Sequence, residues 1–207
     1  MPIQHLSPLT EHAWIYRQLQ AGVGSNRLWK WFVQTEIHPR QPKRILDLGC
    51  GTSDIAEHLH ADIDYVGVDP NPSYIQSAHR RYGNRGQWHS SAVTVDSVAP
   101  LGSFDLVLLL GVLHHCSDSA AGALLQTARS ALKPGGLVIH LDGCNHPDAG
   151  WLETMLYRLE RGLYVRHQDG YASLMASVFE QPTQVVKDGL LRLPYRYCVG
   201  RGFNSSE

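Results

Sequence analysis

The chain has 207 residues, with 18 Lys and Arg against 19 Asp and Glu, a formal net charge of −1 and a pI near 6.9. That balance gives no electrostatic case for non-sequence-specific nucleic-acid binding, which wants a basic face, and a small-molecule partner is expected. A hydrophobic content of 43% with only 18% charged residues excludes global disorder. The size suits a single domain over residues 1–207, with room for a cap but not for a second core.

The longest apolar stretch, residues 106–113, is far below the roughly 20 residues that span a bilayer. Residues 1–11 lack a basic-then-apolar leader pattern, so no membrane partner is expected. Cys50, Cys116, Cys144 and Cys198 are widely spaced without a CxxC pair. No disulfide framework and no metal site is therefore expected, and the setting is read as cytoplasmic. The pattern suits a monomer or a homodimer.

In residues 1–40, Trp14, Ile15, Leu19 and then Leu28, Trp29 and Phe32 fall near helical spacing, broken by Gly22-Val23-Gly24, and Tyr16 and Trp31 add aromatic surface. Ser25 or Asn26 is a plausible cap, and Pro39 and Pro42 end the second helix. We read this segment as a helical lid whose aromatic faces can stabilise a cation. Strands and helices then alternate from 41 to 142. Strands are predicted at 44–48, 65–69, 87–89, 104–110 and 137–141, and helices at 53–59, 72–82 and 120–132, the last stopped by Pro134-Gly135-Gly136. Such alternation argues for a parallel sheet with right-handed crossovers. From 143 to 207 the pattern changes. Helices at 151–159 and 168–179 precede two strands, 183–186 and 195–199, split by the turn signal Lys187-Asp188-Gly189 and read as an antiparallel ending.

The run Ile45-Leu46-Asp47-Leu48-Gly49-Cys50-Gly51 delivers a strand into a glycine turn before a helix. Gly49 and Gly51 admit unusual backbone angles and close approach of a ligand. The third glycine of a pyrophosphate loop is replaced by Asp54, whose charge disfavours phosphates and hence a nicotinamide cofactor. Asp69 stands at the tip of the next strand, 18 residues past Gly51, where a carboxylate can accept ribose hydroxyls. Together the two signals suggest an adenosine ligand beyond the strand C-termini.

Four ordered segments make the chain resemble the class I S-adenosylmethionine-dependent methyltransferases. They are Ile45-Leu46-Asp47-Leu48-Gly49-Cys50-Gly51-Thr52, Val66-Gly67-Val68-Asp69-Pro70-Asn71-Pro72, Phe104-Asp105-Leu106-Val107 leading to Val112-Leu113-His114-His115, and Leu132-Lys133-Pro134-Gly135-Gly136. The tail around 159–166 and 193–195 is similar to a little-characterised bacterial subgroup of these enzymes, which names no acceptor. The resemblance implies an α/β, Rossmann-like, doubly wound seven-stranded sheet, mostly parallel with an antiparallel last strand. It implies S-adenosyl-L-methionine as cofactor. Asp47, Gly49, Cys50 and Gly51 would line its methionine and ribose end. Asp69 would bind the ribose, Pro70 would pack near adenine, and Leu110 and Gly111 would offer backbone near the methionine. The adenine amino group would meet the stretch holding Ser91 and Ala92, where the family often has an acidic residue; a hydroxyl accepts that bond more weakly. Tyr16 would close over the site.

Methyl transfer from a sulfonium is an in-line displacement, so the protein chiefly positions the acceptor and excludes water. A hydroxyl acceptor also needs a base, and His114, His115 and His146 are the candidates. Arg161, Tyr164 and Arg166 are read as surface or core-edge residues, with acceptor binding as the alternative. Two other readings remain. The chain could catalyse displacement at the aminobutyrate carbon, releasing methylthioadenosine, or it could be a non-catalytic cofactor-binding module.

Overall fold

A computed structural model describes residues 25–159 and 163–205. Its centre is a seven-stranded sheet in the order β3-β2-β1-β4-β5-β7-β6. The strands are β1 (Arg44–Leu48), β2 (Asp64–Asp69), β3 (Gln87–Ser90), β4 (Phe104–Leu110), β5 (Leu132–Gly143), β6 (Glu180–Lys187) and β7 (Tyr197–Phe203). The first five pair in parallel. β7 runs antiparallel to both β5 and β6, so it alone points against the rest.

The helices are α1 (Ser25–Phe32), α2 (Pro72–Tyr82), α3 (Val95–Val98), α4 (Asp118–Ala131), α5 (Trp151–Leu159) and α6 (Gln168–Ala176). They cover both faces, because the central strands β1 and β4 are apolar on both sides. Ala121, Leu125 and Ala128 of α4 join Tyr171 and Met175 of α6 against Leu46, Val107 and Val138. Leu28 and Phe32 of α1, Ala78 and Tyr82 of α2 and Tyr157 of α5 meet Ile45, Leu108 and Ile139 on the other face. Among the described residues no helix is long and apolar enough to cross a membrane.

Several expectations shift in detail. α1 runs on into a widened turn at Val33–Ile37 and a tight one at His38–Arg40, so Pro39 lies inside the last turn. Gln41, in the left-handed region at φ 47, ends it. The widening turns Glu36 inward, where Arg201 of β7 donates two hydrogen bonds to its carboxylate at 2.8 and 2.6 Å. The predicted helix 53–59 shrinks to one tight turn, Asp54–His58, because Ser53 sits at φ 55 and breaks the helical path. β5 begins at Leu132, ahead of Pro134-Gly135-Gly136, which kinks the strand instead of preceding it; Gly135 takes φ 74 there. Helix 168–179 ends at Ala176, and the last strand is displaced to Tyr197–Phe203. α3, closed by a reciprocal Thr94–Ser97 cap, has no counterpart in the sequence reading.

The described part of the proposed lid, residues 25–40, packs into the core: Phe32 and Ile37 are fully buried, and Trp29 and Trp31 lie partly buried against the same cluster. Trp14, Tyr16 and the Gly22-Val23-Gly24 hinge lie outside the described residues.

Candidate functional site

The site forms where β1, β2 and β4 end. Leaving β1, the Gly49 amide donates to the Val68 carbonyl at 2.8 Å, and the Cys50 amide to the same oxygen at 3.2 Å. The turn needs φ 75 at Gly49, and a Cβ there would fall 2.7 Å from the Val112 side chain. Gly51 also has positive φ, but a Cβ there would meet open space. The first glycine therefore lets two loops touch, and the second leaves a bare backbone facing the crevice.

Asp69 ties the turn to β2. Its Oδ2 accepts the Gly51 amide at 2.9 Å, and its Oδ1 accepts the Asn71 amide at 2.8 Å. Burial pushes its carboxyl above the usual range, against those two amides. Each oxygen keeps lone pairs for a further donor. Pro70, next to it, is exposed. The Cys50 thiol is raised by burial and packs over Gly67, whose Cβ would lie 2.8 Å from its sulfur.

Asp47 is the unusual member. It is fully buried, Tyr65 donates its hydroxyl to Oδ2 at 2.6 Å, and Oδ1 is buried with no partner. Burial raises its carboxyl to about 7. An unmet buried acceptor is costly, so a donor brought by a ligand has a place prepared for it.

On the opposite lip, the Ser91 amide donates to the Asp69 carbonyl at 3.2 Å, which holds β3's end against β2. Ala92 is exposed, and its carbonyl accepts the Ser97 hydroxyl. Gly111, at φ 71, donates to the Leu141 carbonyl at 2.7 Å, and Leu110 is half-buried beside it. The structure thus gathers Asp47, Gly49, Cys50, Gly51 and Asp69 around one turn. Ser91 lies across β2 from it, and Leu110 and Gly111 at the end of β4. Tyr16 lies outside the described residues. Asp54 repels a phosphate less than expected, because Arg81 of α2 pairs with its carboxylate and answers part of its charge.

The three histidines part company. His114 is buried, with Nδ1 2.8 Å and its backbone amide 3.1 Å from Asp142 Oδ1. Burial alone would raise the Asp142 carboxyl, but hydrogen bonds from His114 and His140 outweigh it and hold it well below the usual range. His115 is exposed, its ring 4.1 Å from that of His114. His146 bonds to Asp148, which also pairs with Arg196, so it belongs to a polar cluster in the loop after β5. Arg166 clamps the chain around it. Its guanidinium donates to the carbonyls of Leu113, Tyr164 and Cys116 at 2.7–3.1 Å, fixing the loop that carries His114. Tyr164 is more than a third exposed, and its amide donates to the His114 carbonyl. Arg161 lies outside the described residues.

Sequence reasoning missed Asp142, His140 and Gln184. Asp142 and His140 stand two apart on β5, a spacing that puts both side chains on one face. That was the available signal. A cavity of about 300 Å³ at the opposite end of the sheet is lined by Arg40, Asp105 and Lys133. Its carboxylate is already engaged by Lys133 and by the Lys43 and Arg44 amides. Among the described residues no cluster suits a metal ion.

Comparison with known proteins places the chain. Residues 45–136 match the family described as methyltransferase domain. The chain is 33% identical over 117 residues to the tRNA U34 carboxymethyltransferase of Shewanella loihica, covering 54% of this chain and 35% of that protein. It is 36% identical over 101 residues to the ubiquinone biosynthesis O-methyltransferase of a Bradyrhizobium species, covering 46% and 38%. It thus spans under two fifths of the length of these curated relatives. The fold is similar to that of human N-acetylserotonin methyltransferase in complex with S-adenosylmethionine, with a TM-score of 0.69, 22% identity, and coverage of 98% of this chain and 60% of that one.

Proposed function

We propose that this chain, in which residues 45–136 form a methyltransferase domain within a class I, S-adenosylmethionine-dependent fold, transfers a methyl group from that cofactor to an oxygen, nitrogen or carbon of a small-molecule acceptor. The observation that carries the cofactor half is the buried Asp47 Oδ1, which lacks a partner beside a glycine turn held by Asp69. A cationic ammonium suits that oxygen, and ribose hydroxyls suit Asp69. When bound, the cofactor supplies an activated methyl on a sulfonium.

The chain's residues do the rest. Asp47 and Asp69 orient the cofactor's two ends, and Gly51 lets the backbone come close. Ser91 and Ala92 border the adenine side, and Leu110 and Gly111 the methionine side. His114 donates Nδ1–H to Asp142, which leaves the Nε2 lone pair to take the acceptor's proton. His115, which is exposed, and His146, which bonds to Asp148 in the loop after β5, are the alternative bases. A near-neutral net charge favours a small molecule over a nucleic acid. Four free cysteines suit a reducing, cytoplasmic setting.

Calorimetry tests the cofactor: S-adenosylmethionine and S-adenosylhomocysteine should bind, and NAD much more weakly. Product analysis with acceptor pools tests the reaction. S-adenosylhomocysteine marks methyl transfer, methylthioadenosine marks displacement at the aminobutyrate carbon, and neither product marks a binding module.

A further inference from the structure

Behind His114 lies a buried polar row that the transfer itself does not use. Asp142 has Oδ1 toward His114 and Oδ2 toward Nδ1 of His140, at 3.0 Å. His140 and Asp142 are both fully buried. Nε2 of His140 lies 3.2 Å from the Gln184 side-chain amide, and Cys198 Sγ is 3.2 Å from the same amide.

The sheet is built to let this row form. His140 on β5 and Gln184 on β6 are not neighbours; β7 lies between them, and both pair in register with Gly200. A Cβ at Gly200 would lie 2.2 Å from His140 Nε2 and 2.5 Å from the Gln184 amide oxygen. Only a glycine lets the two side chains meet across the middle strand. The His140 ring also rests against Tyr171, centroids 5.1 Å apart, and Tyr171 is fixed by its hydroxyl to the Gly143 carbonyl at 2.9 Å.

The protonation of His140 follows from its neighbours. With the Gln184 amide oxygen toward Nε2, both ring nitrogens face oxygens. Turned end for end, the amide gives Nε2 an N–H and finds a partner for its nitrogen, which is otherwise buried without one. In either orientation Nδ1–H points at Asp142.

We propose that His140 is a positioning residue for His114: by donating Nδ1–H to Oδ2 of Asp142, it fixes the carboxylate in the pose whose Oδ1 keeps the His114 proton on Nδ1. The proposal deepens the reading of His114 as the base and rests on it. A carboxylate braced on one oxygen only could turn, and His114 would then lose the partner that selects its tautomer. Gln184, Gly200 and Tyr171 support the brace and do not approach the reacting atoms.

Nitrogen-15 NMR of the histidines in the full chain tests this without an acceptor. In the unsubstituted protein His114 should show a single Nδ1–H tautomer, and His140 a protected Nδ1–H proton. His140→Phe keeps the ring against Tyr171 but removes both nitrogens; His114 should then become a mixture of tautomers. His140→Asn restores an N–H near the Nδ1 position and should return His114 to the single form. A single His114 tautomer in a folded His140→Phe protein overturns the proposal. If that variant does not fold, the unsubstituted spectrum decides alone, since a His140 protonated only on Nε2 cannot brace Asp142. Titrating S-adenosylmethionine into the same samples tests the parent reading separately. Absence of binding would sink that reading and leave the tautomer result legible.

Discussion

The two halves of the sheet hold their carboxylates in opposite ways. At the β2-β1-β4 end, Asp47 keeps one buried oxygen without a partner, and Asp69 spends only one lone pair of each oxygen on loop amides. At the β5-β7-β6 end, Asp142 is equally buried, but both its oxygens are met by protein donors. The consequence appears in their acidity. Burial raises Asp47 to about 7, whereas hydrogen bonds from two imidazoles overcome burial and depress Asp142. The difference teaches what each half is made for. An unsatisfied site is completed by what binds there, and a satisfied one is rigid before anything binds.

The sharpest way to break this contrast is at Asp142. Asp142→Ala strips partners from the His114 ring and amide and from the His140 ring. Each of these donors bonds a buried carboxylate, at about 1.5–3 kcal/mol for a hydrogen bond to a charged group, so urea denaturation at neutral pH should show a combined loss above about 3 kcal/mol. The sign with pH follows from the depressed carboxyl. Its stabilisation is present above the ordinary carboxylate value of about 4 and fades as pH falls through the lower folded value. The gap between the two proteins should therefore narrow in acid. A gap that stays constant below pH 4 contradicts a depressed Asp142.

Next in size is Asp69, where the effect should fall on the ligand. At about 1.5–3 kcal/mol for a hydrogen bond to a charged group, Asp69→Ala should weaken S-adenosylmethionine binding by roughly tenfold to more than a hundredfold. The Gly51 and Asn71 amides also lose their acceptor, so some stability goes too. Calorimetry beside thermal unfolding separates the two losses, and an unchanged dissociation constant would reduce Asp69 to a turn brace.

Asp47 should respond with opposite signs for fold and ligand. Its folded carboxyl titrates near 7 against about 4 unfolded, so this group's contribution favours the fold most below pH 4 and is lost between 4 and 7. Asp47→Asn escapes that loss. The ligand-free variant should be more stable at pH 8, by on the order of 2 kcal/mol, and should bind S-adenosylmethionine about tenfold more weakly. In the unsubstituted protein, binding should strengthen as pH rises through 7. A variant that is less stable at pH 8 would mean that Oδ1 has a donor already.

The same contrast decides what could be read from sequence. The glycine turn and Asp69 were legible because a strand, a turn and a helix start lie within a few residues, and backbone geometry dictates residue type there. The strand alternation and antiparallel ending were legible from hydrophobic runs. Asp142 was not, because its meaning depends on His114, 28 residues earlier, and on Gln184, which reaches His140 only because Gly200 is bare. Local patterns show backbone constraints, whereas a network across three strands exists only once the register is fixed. The shortened helix after Ser53 failed for a local reason, a left-handed residue that no hydrophobic pattern reveals.

The mildest test concerns how firmly the satisfied half is held. Arg166 donates to three carbonyls, of Leu113, Tyr164 and Cys116, and pairs with Asp118, so one planar group closes the loop carrying His114. A lysine in its place keeps the charge but offers a single point of attachment instead of a fork. Arg166→Lys should leave the sheet and S-adenosylmethionine binding alone, because none of those carbonyls belongs to the glycine turn. It should cost about 1 kcal/mol or less in global stability, since Asp118 is mostly exposed and contributes little. The effect belongs to local opening: hydrogen exchange at the His115 and Cys116 amides, which donate to Val112 and Leu113, should quicken severalfold. The amides of α4 should not change. If the quickening spreads into α4, Arg166 supports the core at large. If nothing quickens, the loop is held by the Asp142 acceptor bonds alone, and the rigidity of this half resides in the carboxylate.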